Sequence, residues 1–153
     1  MGTKIDSSKS IFYNYTKLLA ANDRSIQQKA ARAWCDWEDS VLSNEPNAKP
    51  SYPTPEAVPD MIAFARICAH YAMNNAWLED DMIMDNKHRL FDISVVIIHG
   101  RQDRGCPAES AERLSAGWTK ASLNILEDSG HLASASKKSK LLQALHQFSL
   151  TGR

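Results

Sequence analysis

Two short apolar runs, each leading into a loop that carries one chemically distinctive residue, constrain this chain most. The first is Val95-Val96-Ile97-Ile98, followed by His99-Gly100-Arg101-Gln102-Asp103. The second spans Ser122 to Leu126 and leads to Ser129-Gly130-His131. β-Branched runs of this length, bounded by glycine-bearing loops, read as strands, and the spacing predicts a buried strand over Ile93 to Ile98. Pro107 to Trp118 has helical spacing with proline near its first turn. Lys138 to Phe148 reads as a second helix whose Leu141, Leu142, Leu145 and Phe148 face one side. Strand, helix, strand, helix gives an α/β unit with a parallel strand pair and a crossover helix.

In open parallel sheets reactive groups sit just past the carboxyl ends of strands. Here an aspartate and then a histidine follow successive strands, the order in which the acid and base of a Ser-Asp-His triad can occur. Asp103 would orient the imidazole of His131 and stabilise its charged form. Taken alone, Asp103 reads as the cap of the turn before the next helix; paired with His131 it reads as the acid of a triad. Gly130 permits a close backbone approach beside His131. No Gly-x-Ser-x-Gly occurs, and none of Gly2, Gly100, Gly105, Gly117, Gly130 and Gly152 brackets a serine as a nucleophile elbow requires. Two parallel strands are also too few for a stable sheet. Both observations lead to the expectation that a missing piece lies upstream, and that the chain is the C-terminal part of an enzyme.

The 18 basic and 18 acidic residues cancel and form no basic block, so neither nucleic acid nor an anionic membrane surface is an expected partner. No apolar run approaches the roughly 20 residues of a bilayer-spanning helix, and Met1 to Ser10 lacks an apolar signal core. Cys35, Cys68 and Cys106 are odd in number and widely separated, which favours a reducing, cytoplasmic setting.

The first half differs in texture. Ile11, Tyr15, Leu18 and Leu19 share a helical face. A second helix begins near Asp23 or Ser25 and runs through Ala30, Ala33, Trp34, Trp37 and Val41. Asn44 to Asp60 holds five of the six prolines and reads as a helix-helix connection. A third helix runs from about Pro59 to Asn75, with Ile62, Ala65, Arg66 and Ala69 at helical spacing. Residues 1–90 are thus expected to form a helical domain, and 91–153 the strands and helices of an α/β core.

Cys106 stands at the start of a helix, where a thiol can be activated, although a small buried hydrophobe is the plainer reading. Trp34, Trp37 and Glu38 fall within two turns of one helix, as a core stripe with a solvated glutamate also would. Cys68 and His70 do not converge on one helix face, so no metal site is assigned. No phosphate-cradling loop or dinucleotide fingerprint is present, and no cofactor is expected.

Four segments resemble the proline iminopeptidases, serine peptidases of the α/β-hydrolase fold. They are Ala-Arg-Ala-Trp-Cys-Asp-Trp-Glu at 31–38, Phe-Ala-Arg-Ile-Cys-Ala-His-Tyr at 64–71, His-Gly-Arg-Gln-Asp-Arg-Gly-Cys-Pro at 99–107 and Asp-Ser-Gly-His at 128–131. The resemblance covers nearly the whole chain and is to the C-terminal part of the family, with the helical first half matching part of its cap domain. It implies that Asp103 and His131 are the catalytic acid and base. It further implies that Cys106 lies near the active site and that Glu38 binds the free amine of an N-terminal proline. A second amine-binding glutamate of the family is replaced here by Cys68.

The expected activity is release of N-terminal proline from peptides, in a protein that also has the missing N-terminal half. The isolated chain is expected to be inactive, and to associate with itself or with that half. The alternatives are a noncatalytic remnant serving as a binding or interaction module, and a hydrolase acting on esters.

Overall fold

Local side-chain caps set the starts of the first two helices. In a computed structural model describing residues 6–46, 48–51 and 54–151, the Ser10 hydroxyl accepts the Tyr13 N–H at 3.2 Å and opens α1, Ile11–Leu19. The Asp23 carboxylate accepts the Ser25 N–H at 2.8 Å, and the Asp23 carbonyl accepts those of Ile26 and Gln27. These bonds satisfy amides that the first turn of α2, Arg24–Leu42, would leave unpaired. The Ser25 hydroxyl and amide hold the Asp23 carboxyl below its ordinary pKa. A 3-10 turn at Pro55–Ala57 leads into α3, Val58–Met73, with Pro59 in its first turn where no amide is lost. Asn47, Tyr52 and Pro53, within the anticipated proline-rich connection, lie outside the described residues.

The chain divides into two compact units, Met1–Ser40 with Pro50–Asp80 and Val41–Lys49 with Asp81–Arg153. In the first, α1 packs on α3, and Leu19, Ala30, Ala31, Trp34, Cys35, Met61, Ile62, Ala65 and Ala69 form the core. The Arg66 guanidinium donates to the Leu19 carbonyl at 2.8 Å, closing the end of α1. The core face of α2 is rotated from the anticipated stripe. Trp34 packs against Phe12 and Tyr15 of α1, at ring-centre separations of 6.2 and 5.1 Å. That orientation turns Ala31 and Cys35 inward, and leaves Ala33 and Trp37 exposed. Ile11, anticipated on the buried face of α1, is likewise exposed. After α3, Asn75, Ala76 and Trp77 all take left-handed φ, and the Trp77 ring packs on His70 and Tyr71.

The second unit carries the strands. α4, Met82–Asn86, and a 3-10 turn at Lys87–Leu90 precede β1, Val95–Gly100. There follow α5, Ala108–Ser115; β2, Ala121–Leu126; and α6, Ala135–Thr151. β1 and β2 pair in parallel from Val95↔Ala121 to Gly100↔Leu126, and α5 packs on both strands while α6 packs on β1. This mixed architecture is α/β.

Two details differ from expectation. β1 begins at Val95, not Ile93, because the Ile93 carbonyl accepts the Trp118 indole N–H at 2.9 Å. The strands are also half-buried, with only Gly100 fully enclosed. The described sheet has two strands, so each has one edge without a strand partner. Among the described residues no helix is long and apolar enough to cross a membrane.

Gly100 has a steric role. A β-carbon there would stand 2.4 Å from the Ser129 carbonyl oxygen and 2.5 Å from that of Gly130. Backbone cannot yield as a side-chain tip can, so Gly100→Ala should cost about 1–3 kcal/mol of stability through overpacking. Urea unfolding of the variant checks this; a midpoint equal to the parent's would refute the close approach.

Candidate active site

The register of the strands brings the two reactive loops together. Gly100 and Leu126 are paired at the carboxyl ends of β1 and β2, so both chains leave the sheet at one level. Arg101 N–H then bonds to the Leu126 carbonyl, and Gln102 N–H to that of Ser129, each at 2.9 Å. The Gln102 side-chain amide adds a bond to the Glu127 carbonyl at 2.8 Å. These contacts dock the loop after β1 against the loop after β2.

Asp103 and His131 meet within that docked pair. His131 Nδ1 lies 3.1 and 3.2 Å from the two carboxylate oxygens of Asp103. A carboxylate is an acceptor, so in a neutral imidazole Nδ1 would be the nitrogen that carries the proton and Nε2 the acceptor. Asp103 is buried, with its side chain 4% exposed, whereas the His131 side chain is 43% exposed. Its Oδ1 also accepts the Cys106 N–H at 2.7 Å, so one carboxylate both caps this turn and bonds to the histidine ring. A buried carboxylate bonded to a half-exposed imidazole is an arrangement that can support proton transfer.

Three further groups hold the arrangement, none of them anticipated from sequence. Glu45 is 5% exposed and accepts Arg104 N–H at 2.6 Å with one oxygen and His131 N–H with the other. Lys137 Nζ donates to the carbonyls of Gly130 and His131. His99 Nε2 bonds to the Cys106 carbonyl at 2.8 Å and stands 3.5 Å from Asp103 Oδ2. A polar residue closing the apolar run four positions before Asp103 was a readable signal for His99. Nothing in the local pattern around Glu45 or Lys137 marks them.

Cys106 is exposed, not the small buried hydrophobe its spacing also permitted. Among the described residues, Asp103, Cys106 and His131 offer donor atoms that all lie within 4.8 Å of one another. The Asp128 carboxyl, two residues before Gly130, is held below its ordinary pKa by the Ser136 and Ser129 hydroxyls.

Glu38 and Cys68 belong to the helical unit. The Trp34 indole N–H donates to Glu38 Oε1 at 2.7 Å. Trp34 also walls a cavity of about 240 Å³ with Ile11, Phe12, Tyr15 and Trp37. Burial, and secondarily the charge of Glu38, push the Cys68 thiol pKa up.

The chain is 36% identical over 129 residues to a proline iminopeptidase of Arabidopsis thaliana, covering 84% of this chain and 34% of that protein. A proline iminopeptidase of Xanthomonas citri is 37% identical over 122 residues, 78% of this chain and 38% of that protein. A probable proline iminopeptidase of Leptolyngbya boryana is 33% identical over 138 residues, 88% and 42% of the two chains. This chain is a relative of the proline iminopeptidases. It spans about two-fifths or less of the length of these three proteins. No protein-family profile matches it.

Two predictions follow from the geometry that this proline iminopeptidase relative displays. Glu45→Ala leaves the Arg104 and His131 amides without their acceptor, and hydrogen bonds to charged groups contribute about 1.5–3 kcal/mol each. A loss of at least about 2 kcal/mol in denaturant unfolding is expected; an unchanged midpoint would show that the carboxylate holds neither loop. The cysteines should alkylate in the order Cys106, Cys68, Cys35. Cys106 is exposed, whereas burial pushes the Cys35 thiol up to about 11, with Glu38 and Asp39 adding to the shift. Iodoacetamide labelling read by peptide mass spectrometry checks the order, and early labelling of Cys35 would contradict it.

Proposed function

We propose that these residues are the C-terminal portion of a proline iminopeptidase-type serine peptidase, whose complete form releases N-terminal proline from peptides. The observation that carries the reading is the Asp103–His131 pair at adjacent strand ends, in a chain similar to proline iminopeptidases over most of its length. His131 acts as general base and then general acid, Asp103 orients it, and a serine outside this sequence attacks the scissile carbonyl to form an acyl-enzyme that water hydrolyses. Residues 1–90 correspond to part of the cap and 91–153 to the end of the hydrolase core. A cytoplasmic setting accords with three free cysteines.

Glu38 is assigned to the protonated amine of the substrate, because a cation taken from water needs a carboxylate partner. Its anchoring by Trp34, which also walls an apolar cavity, supports that assignment. Cys106 is assigned to the substrate-binding surroundings of the acid–base pair. The competing reading is a noncatalytic interaction module.

The partner expected for the peptidase reading is an N-terminal half, with self-association as the competing outcome. The apolar face of α6, where Leu141, Leu142, Leu145 and Phe148 are all exposed, accords with such association.

The 153-residue chain alone should hydrolyse proline anilides no faster than background. Fused behind the N-terminal half of a relative, it should gain hydrolysis that His131→Ala abolishes. Cys68→Glu in that fusion should raise kcat/KM for proline amides by about tenfold to a hundredfold, the worth of one charged hydrogen bond, and Glu38→Ala should lower it. A folded, inactive fusion would favour the interaction module. Turnover by the isolated chain would mean that it contains its own nucleophile.

A further inference from the structure

The acid–base pair does not use the thiol of Cys106, yet that thiol stands beside it. The carboxylate of Asp103, the thiol of Cys106 and a ring nitrogen of His131 lie within 4.8 Å of one another. We infer that these three side chains form a binding site for one thiophilic divalent cation of the zinc class. The inference goes beyond the peptidase reading and does not depend on it.

The donor set selects the metal. Thiolate and imidazole with one carboxylate suit zinc, cobalt and cadmium, whereas magnesium and calcium prefer all-oxygen shells. Tetrahedral zinc has bonds of about 2.0–2.3 Å, which sets neighbouring donors roughly 3.3–3.8 Å apart. His131 Nδ1 and Asp103 Oδ1 already stand 3.1 Å apart, so most of the adjustment falls to the thiol. Cys106 is exposed and its side chain can rotate inward without repacking a core.

The surroundings hold the carboxylate in place. Asp103 Oδ1 is fixed by the Cys106 amide, and such outer contacts orient metal ligands. Glu45 fixes the backbone of the residue after Asp103 and that of His131 itself. The nearby His99 ring is engaged by the Cys106 carbonyl at 2.8 Å, which leaves the fourth position to water.

Loading replaces one bond with another. The thiol proton goes to solvent as the sulfur–metal bond forms. The proton on His131 Nδ1 is lost there and regained at Nε2 through solvent, and the Nδ1–metal bond takes the place of the Nδ1–H···Asp103 bond. The imidazole cannot hold both, so the cation and the acid–base pair exclude each other.

Cobalt(II) chloride titrated into the reduced, full 153-residue chain tests the site. One equivalent should produce a thiolate-to-cobalt charge-transfer band in the near ultraviolet and tetrahedral bands in the visible, both bleached by excess zinc chloride. Cys106→Ala should abolish the charge-transfer band, while Cys35→Ala and Cys68→Ala retain it. His131→Ala and Asp103→Asn should each weaken binding by at least about tenfold, since even outer-shell losses reach that size. Circular dichroism confirms that each variant is folded, and exposed Cys106 provides the variant least able to disturb the fold. Absence of a thiolate band, its survival in Cys106→Ala, or unaltered affinity in folded His131→Ala or Asp103→Asn would overturn the inference.

Discussion

The passage of the Ser129–Gly130 backbone over the end of β1 is the constraint from which the site follows. It is possible because residue 100 has no side chain: a β-carbon would overlap two carbonyl oxygens. With that approach allowed, Gln102 reaches the Ser129 carbonyl, and the loops after β1 and β2 become neighbours. Asp103 and His131, 28 positions apart, then fall within hydrogen-bond range. A strand register and a glycine thus do what no local propensity could.

Both buried carboxylates near the site meet the cost of desolvation in the same way. An ionised group removed from water needs donors, and backbone amides provide them without side-chain entropy. Asp103 takes the Cys106 amide and the His131 ring. Glu45 takes the Arg104 and His131 amides. Each carboxylate is therefore part of the loop architecture as well as of its charge.

Much of the second unit was legible because its elements are locally specified. β-Branched runs, Pro107 at the start of α5 and the glycines located both strands and the crossover helix within a few residues. The meeting of Asp103 and His131 was legible for the same reason, since a strand end fixes where its loop begins. The inner face of α2 was not, because Trp34 and Trp37 suit either side of the same stripe. Contact with Phe12 and Tyr15 decides between them, and that contact is tertiary. Glu45 was out of reach on any local criterion. Its partners lie 59 and 86 positions away, and an isolated acidic residue among prolines carries no trace of them. The short turns and helix between Asn75 and Leu90 were missed as well. They are too brief to show a period.

The two oxygens of Glu45 divide between the two loops, one oxygen to each. The loops are consequently one thermodynamic element, although they are distant in sequence and leave different strands. Perturbing either changes the position of the shared carboxylate, and with it the footing of the other. Substitutions in residues 101–106 and 127–131 should then show coupling energies, where distant independent sites would simply add. Sequence variation in one loop is accordingly conditioned by the residue choices in the other, through a side chain that belongs to neither.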